Sequence, residues 1–222
     1  MGHWPNRPAA SGAYQRDKGI LVTFGDIRDL DRRAVRVSVE VVAKVTAEDL
    51  GRSTPCSEWT VGDLLAHMTV QHDGFAAAAA GGGGDLAIWQ VRPLAADPVA
   101  EYSAAAERVI AAFAEVGVLS RSFLLPEIIP GAEFPAAQAI SFHFIDYVVH
   151  AWDVARSLGV PYAPGEDLIE AALPVAAAVP EGKHRLEPGA AFRPGVLAPA
   201  EASTLDRILA MLGRSPTWSA AG

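Results

Sequence analysis

The sequence predicts an all-α fold, an antiparallel four-helix bundle with long connections and a short helical or irregular C-terminal tail. Four segments carry apolar residues at the three- and four-residue spacings of amphipathic helices. Half of the 222 residues are hydrophobic, which is enough to build one core. The segments between the helices show no convincing strand-like alternation, so helices alone should form that core.

The chain should form a single domain behind a polar leader. Residues 1–20 are rich in Gly, Pro, Arg and Ala and lack the apolar segment of a signal peptide. We expect them to be disordered and residues 21–222 to form one domain. Within it, the bundle should occupy about residues 24–159 and the tail about residues 160–222.

The first two helices have clear sequence signals. A helix from about Asp26 to Thr46 is predicted by an apolar stripe whose residues recur every three or four positions: Leu30, Ala34, Val37, Val41 and Val45. The second helix should begin after Thr60, because Thr60 and Asp63 form a near-capping box. It should end in the glycines at positions 81–84.

The next two helices follow the same logic. Asp97 and Pro98 are an N-cap and a first-turn proline, and Gly117 should end the third helix. Residues 120–135 contain three prolines and should form a long connection with short extended pieces. The fourth helix is predicted from about Ala136 to Leu158.

The tail should contain two shorter helices. The first is expected over about residues 166–179, kinked or broken at Pro174. The second is expected over about residues 203–212, ending at Gly213.

Charge and cysteine content restrict the class of partner. The net charge is −8 and no Lys/Arg run occurs, which argues against a nucleic-acid or anionic-membrane surface. Cys56 is the only cysteine, so no internal disulfide can form. We expect a cytoplasmic monomer or homodimer, with Cys56 as a small buried packing residue.

The fourth helix carries one narrow polar stripe on a surface that is otherwise apolar. On a helical wheel the stripe spans an arc of about 120° and consists of His143, Asp146, Tyr147, His150 and Asp153. Such a helix should be largely buried. Buried charges are costly unless they are paired or bind a metal, so the stripe needs partners.

A metal site is one way to provide those partners. Asp146 and His150 are four residues apart and can converge on one ion, as Zn²⁺ ligands do. His67, which flanks the apolar face of the second helix, is the candidate third ligand. His72 lies about 140° further round that helix and should not share the site. Three protein ligands would leave a position open, as in catalytic rather than structural sites.

These residues also fit other interpretations. An Asp–His pair at this spacing also forms ordinary salt bridges on helix surfaces. His143 can be a hydrogen-bonded core histidine, and Asp153 can belong to a solvated helix end.

Three segments together resemble a known family. TPCSEWTVGDLLAHM (54–68) and FHFIDYVVHAWDVARSLG (142–159) are similar to the metal-binding N-terminal domain of mycothiol-dependent maleylpyruvate isomerases. LDRILAMLGRSPTW (205–218) resembles the ending of a related group of short, single-domain actinobacterial proteins. The resemblance implies a DinB-like four-helix bundle with a divalent metal ion held by His67, Asp146 and His150. The isomerases differ in having Glu at the position of Asp146 and an additional C-terminal domain.

The resemblance suggests how such an ion could be used. A bound ion, with Zn²⁺ favoured and Ni²⁺ or Fe²⁺ also suited to these ligands, would activate a small thiol such as mycothiol for attack on a small electrophile. Gln71, His143 and Tyr147 are candidates to orient the substrate. The alternatives are a hydrolase in which the ion activates water, with His143 or Asp153 as base, and a non-enzymatic metal-binding or stress-response module.

Overall fold

The computed structural model describes residues 26–56, 59–187, 190 and 192–220. The predicted leader, residues 1–20, lies outside them. Within the described residues no helix is both long enough and apolar enough to cross a membrane.

Four long helices form the bundle. They are α1 (Ile27–Val42), α2 (Val61–Ala79), α3 (Pro98–Ala114) and α4 (Ala136–Leu158). Helix α1 packs along α4 and α2 packs along α3, while contacts between α1 and α3 and between α2 and α4 close the ring. The predicted all-α fold is confirmed, and α2 and α4, which carry the candidate site residues, are neighbours.

The predicted capping signals set the helix ends. Thr60 accepts a hydrogen bond from the Asp63 amide while the Asp63 side chain accepts one from the Thr60 amide, so the capping box of α2 is present. Asp97 caps α3 with Pro98 in its first turn. Gly159 ends α4 in the left-handed conformation, with φ of 68°.

The first helix is shorter than the sequence suggests. It ends at Val42, and a 3₁₀ turn follows at Ala47–Asp49. Thr46 donates to Asp49 Oδ2 through its amide at 2.9 Å and through its hydroxyl at 2.7 Å. Because this reciprocal cap starts a new turn, the chain leaves α1 before reaching Thr46.

The long connection between α3 and α4 contains the expected extended pieces. Strands β1 (Ser122–Leu124) and β2 (Glu133–Pro135) pair antiparallel, with Phe123 opposite Phe134. Both phenylalanines are buried in the main hydrophobic cluster.

The tail is part of the core. Its helices are α5 (Glu166–Ala178), which continues through Pro174, and α6 (Thr204–Met211). Apolar side chains from both helices and the following turn are buried in the same cluster as α4: Leu168, Ile169, Ala172, Ile208, Leu209 and Leu212. This packing brings the residues that follow α6 close to α4.

Candidate metal centre

The three predicted ligands lie together. His67 on α2 and Asp146 and His150 on α4 offer ligand atoms that all lie within 4.8 Å of one another. Asp146 Oδ1 is 3.3 Å from His150 Nε2. The four-residue spacing on α4 stacks these two side chains one turn apart, and the contact between α2 and α4 brings in His67.

These distances suit a metal ion. Ligands at 2.0–2.2 Å from a tetrahedral Zn²⁺ are separated from each other by about 3.3 to 3.6 Å. The separation between Asp146 and His150 already falls there, and the wider limit of 4.8 Å requires only a small closure. The donor set of two imidazoles and one carboxylate also fits Zn²⁺ and similar divalent ions.

The site is enclosed on the His150 side and reachable from solvent elsewhere. The side chain of His150 is 2% exposed, whereas that of Asp146 is 17% exposed and His67 is half-buried. The Trp59 ring lies 4.7 Å from the His67 ring and 6.3 Å from the His150 ring, centroid to centroid. The Trp59 ring therefore flanks a ligand group that is partly exposed to solvent.

The pKa values of His67 and Asp146 leave both side chains deprotonated at neutral pH. Burial, aided by the charge of His150, lowers the pKa of His67 to about 4, so His67 is neutral at pH 7 and keeps a lone pair for an ion. Burial alone would raise the pKa of Asp146, but His150 and His67 outweigh it and hold that pKa at about 2. At neutral pH the site thus offers a neutral imidazole and a carboxylate anion.

The pKa of His150 is shifted in the opposite direction from that of His67. Burial would lower its pKa, but the carboxylates of Asp146 and Asp153 outweigh it and raise the pKa well above the ordinary histidine value. Before an ion binds, His150 is therefore an imidazolium between two carboxylates. An ion would replace the proton on Nε2.

Three polar side chains, Asp153, Arg214 and Cys56, lie together on the other side of His150. Its Nδ1 lies 2.9 Å from Asp153 Oδ2, which also lies 3.2 Å from an Arg214 guanidinium nitrogen and 3.2 Å from Cys56 Sγ. Asp153 is fully buried and Arg214 is 4% exposed. This carboxylate fixes the imidazole so that Nε2 faces Asp146, the usual arrangement around metal-binding histidines.

Cys56, His150 and Asp153 also lie close enough to hold an ion. A cation is already present there, because Arg214 lies 3.1 Å from Cys56 Sγ as well as 3.2 Å from Asp153. The guanidinium would repel a metal ion placed in this buried space. The geometry therefore favours the His67, Asp146 and His150 set as the metal centre.

Two residues of this region differ from their sequence-based interpretation, and a third, Arg214, was not identified from the sequence. Asp153 is fully buried rather than at a solvated helix end, because α5 packs against α4 and Arg214 of the tail lies against the Asp153 carboxylate. Cys56 is half-buried and contacts polar atoms rather than acting as a buried packing residue. The three-residue spacing from His150 to Asp153 was a usable signal, whereas nothing local points to Arg214.

A second polar cluster lies in the bundle interior. His143 Nδ1 is 2.6 Å from Asp31 Oδ1, and His143 Nε2 is 3.1 Å from His72 Nδ1. His143 is thus a hydrogen-bonded core histidine and His72 lies in this cluster, not with the metal ligands. The Tyr147 ring stacks on His72 at 3.9 Å, and its hydroxyl donates to the Met68 carbonyl oxygen.

The substrate-orienting residues suggested by the sequence are placed differently from one another. His143 and Tyr147 have no exposed surface. Gln71 lies one turn after His67 on α2, is 8% exposed and donates to Glu127 in the connection between β1 and β2. Their role in binding a substrate stays a prediction.

The sequence matches one protein family and two relatives from Mycobacterium tuberculosis. The family described as mycothiol maleylpyruvate isomerase N-terminal domain matches residues 32–155, which include all three candidate ligands. Two relatives from Mycobacterium tuberculosis, the uncharacterized proteins MT0763 (strain CDC 1551) and Rv0738 (strain H37Rv), are each 32% identical over 189 residues. The match covers 83% of this chain and 95% of each relative. No solved structure matches this chain significantly.

The family match spans α2 and α3 entirely and most of α1 and α4. The relatives extend the similarity over most of the remaining chain. The helical bundle agrees with the family match. The chain belongs to the mycothiol maleylpyruvate isomerase N-terminal domain family.

Proposed function

We propose that this protein binds one divalent metal ion through His67, Asp146 and His150 and uses it to activate a low-molecular-weight thiol for attack on a small electrophile. The observation that carries the proposal is the convergence of three ligand atoms within 4.8 Å at a partly exposed point between α2 and α4. Zn²⁺ is the ion expected, and Ni²⁺ or Fe²⁺ would suit the same ligands.

The donor set supports a catalytic rather than a structural ion. Structural zinc sites usually have four protein ligands, whereas catalytic sites have three and leave a position for substrate. A thiol bound at that position would lose its proton at neutral pH, because the ion stabilises the thiolate. The family description pairs mycothiol with an isomerase, which favours mycothiol as that thiol.

The residues around the ion would divide the remaining tasks. His67 and His150 would donate nitrogen lone pairs and Asp146 a negative charge. Asp153 would keep the His150 ring oriented by accepting from Nδ1. Trp59 would form an apolar wall beside the open position, where it limits access of water to the nucleophile.

The hydrolase alternative has less support from the geometry. Water activation needs a separate base, and the sequence offers His143 or Asp153 for that role. His143 is enclosed between Asp31 and His72. Asp153 is fully buried and its Oδ2 already contacts His150, Arg214 and Cys56.

The first experiment is elemental analysis of the purified protein and of His150→Ala. We expect about one divalent ion per chain in the wild type and its loss in the variant, because two remaining ligands bind weakly. His184→Ala is the matched control, since His184 is an exposed tail histidine whose ring lies 3.1 Å from the Pro180 carbonyl oxygen, away from the candidate ligands. Absence of metal in the wild type after incubation with Zn²⁺, Ni²⁺ or Fe²⁺ would overturn the proposal.

The second experiment tests the thiol. Co²⁺-loaded protein should develop a sulfur-to-metal charge-transfer band when mycothiol is added, and S-methylated mycothiol should give none. Consumption of an electrophile should then require both the ion and the free thiol. Metal binding without a thiolate band would favour a metal-binding module over the enzyme.

A further inference from the structure

We propose that Arg214, from the C-terminal segment, is a positioning residue of the metal centre that acts through Asp153 on His150. The inference rests on the proposed metal site. It extends that site beyond the bundle helices to a residue after α6, outside the segment matched by the family.

The first step is the orientation of His150. A ring nitrogen that donates to a carboxylate leaves the opposite nitrogen free to bind a metal. Nδ1 of His150 lies 2.9 Å from Asp153 Oδ2, and Nε2 faces Asp146 at 3.3 Å. Asp153 therefore selects the nitrogen that can join Asp146 and His67 in binding the ion.

The second step is the stabilisation of Asp153. This carboxylate is fully buried, and a buried charge without a cation is strongly disfavoured. Arg214 supplies the cation at 3.2 Å from Oδ2. Cys56 Sγ also lies 3.2 Å from Asp153 Oδ2, but a thiol has no positive charge to balance the carboxylate.

The third step is the anchoring of Arg214 itself. One of its guanidinium nitrogens donates to the Leu212 carbonyl oxygen at 2.9 Å, and the guanidinium lies over the Phe192 ring at 5.4 Å. Leu212 is fully buried in the main hydrophobic cluster. The packing of α6 and the following turn therefore fixes Arg214, and through it Asp153 and His150.

The test compares two buried arginines of the tail. Arg185 is 2% exposed and donates to the carbonyl oxygens of Val179, Pro180 and Met211, so its replacement removes a buried guanidinium that does not contact Asp153. Zinc affinity by chelator competition and the visible spectrum of the Co²⁺ form should be measured for Arg214→Met and Arg185→Met. Circular dichroism would establish that each variant is folded.

We expect Arg214→Met and Asp153→Asn to raise the zinc dissociation constant by about ten- to a hundredfold, the range found for outer-shell partners of metal ligands. The Co²⁺ spectrum should change in both. Arg214→Lys should recover part of the affinity, because it keeps the charge but not the planar donor geometry. Arg185→Met should leave affinity and spectrum as in the wild type. If Arg214→Met does not fold, Arg214→Lys and Asp153→Asn carry the test.

A measurement without metal separates this inference from the proposed function. In chelator-treated protein at alkaline pH, ¹⁵N NMR of the histidine rings should show His150 with its proton on Nδ1. In Arg214→Met the Nε2-protonated form should grow, and in Arg185→Met it should not. If Arg214→Met keeps the wild-type His150 tautomer and the wild-type zinc affinity, the inference is wrong. This holds even if His150→Ala loses the ion, which would still support the proposed metal site. The inference is also wrong if Arg214→Met and Arg185→Met lose zinc affinity to the same extent.

Discussion

Asp146 Oδ1 lies 3.3 Å from His150 Nε2, and this contact links metal binding to protonation. The proton that His150 holds between Asp146 and Asp153 occupies the nitrogen that a metal ion needs. An ion and a proton therefore compete for the same atom.

Metal affinity should rise with pH across the neutral range. The pKa of His150 is raised well above the ordinary histidine value, so the proton must be displaced at pH 7 and becomes easier to displace as the pH increases. Above the His150 pKa the affinity should level off. Isothermal titration calorimetry in buffers of different ionisation enthalpy should show release of about one proton per ion at pH 7. Binding without proton release would contradict this assignment.

Asp146→Glu should retain the ion, whereas Asp146→Asn should lose it. Glu keeps the charged oxygen donor at the cost of a longer side chain, while the neutral amide of Asn is a poor ligand for Zn²⁺. The zinc affinity of Asp146→Asn should fall by more than about a hundredfold, which is the upper end of the range for residues that contact a metal ligand without binding the ion themselves. Asp63→Asn, a change at an exposed carboxylate in the α2 capping box, is the control and should leave zinc affinity unchanged.

The interior cluster should contribute to stability rather than to metal binding. Asp31→Ala leaves His143 without the partner at 2.6 Å and should lower the free energy of unfolding by about 3 to 5 kcal/mol, as for other broken buried pairs. Asp29→Ala removes an exposed ion pair with Arg32 on the same helix and should cost less than about 1 kcal/mol. Urea denaturation measures both changes. Equal effects would show that the buried pair contributes no more than the surface pair.

The metal-free protein should lose stability as the pH falls from about 6.5 toward 4. The pKa of His67 is lowered to about 4 in the folded state, so the unfolded chain binds a proton in this range that the folded chain does not. The contribution of His67 should be about 1 to 3 kcal/mol at the acid end. His150 does not offset this loss, because its raised pKa makes its stabilisation complete below about 6.5.

Comparison with His67→Gln isolates that contribution. The variant should show a shallower fall in unfolding free energy between pH 6.5 and 4.5 in the presence of a chelator. His184→Ala, which changes an exposed histidine, should keep the wild-type slope. A slope that is the same in His67→Gln and wild type would contradict the lowered pKa of His67.

Much of the fold is readable from local sequence because its signals act over one or two helical turns. The bounds of α4, the capping box at Thr60 and the end at Gly159 depend only on neighbouring residues. The grouping of Asp146 and His150 is equally local, since it follows from the period of one helix. The early end of α1 was missed because the cap between Thr46 and Asp49 competes with the apolar stripe that continues through Val45.

The sequence alone determined the helical fold, the polar stripe of α4 and the candidate ligands His67, Asp146 and His150. Only the tertiary structure decided that Asp153 is buried against His150 and that Arg214 supplies its cation. The reason is physical. Helical periodicity places side chains on faces of one element, whereas a buried charge takes its partner from whatever packing brings close, however far apart the two residues lie in the chain.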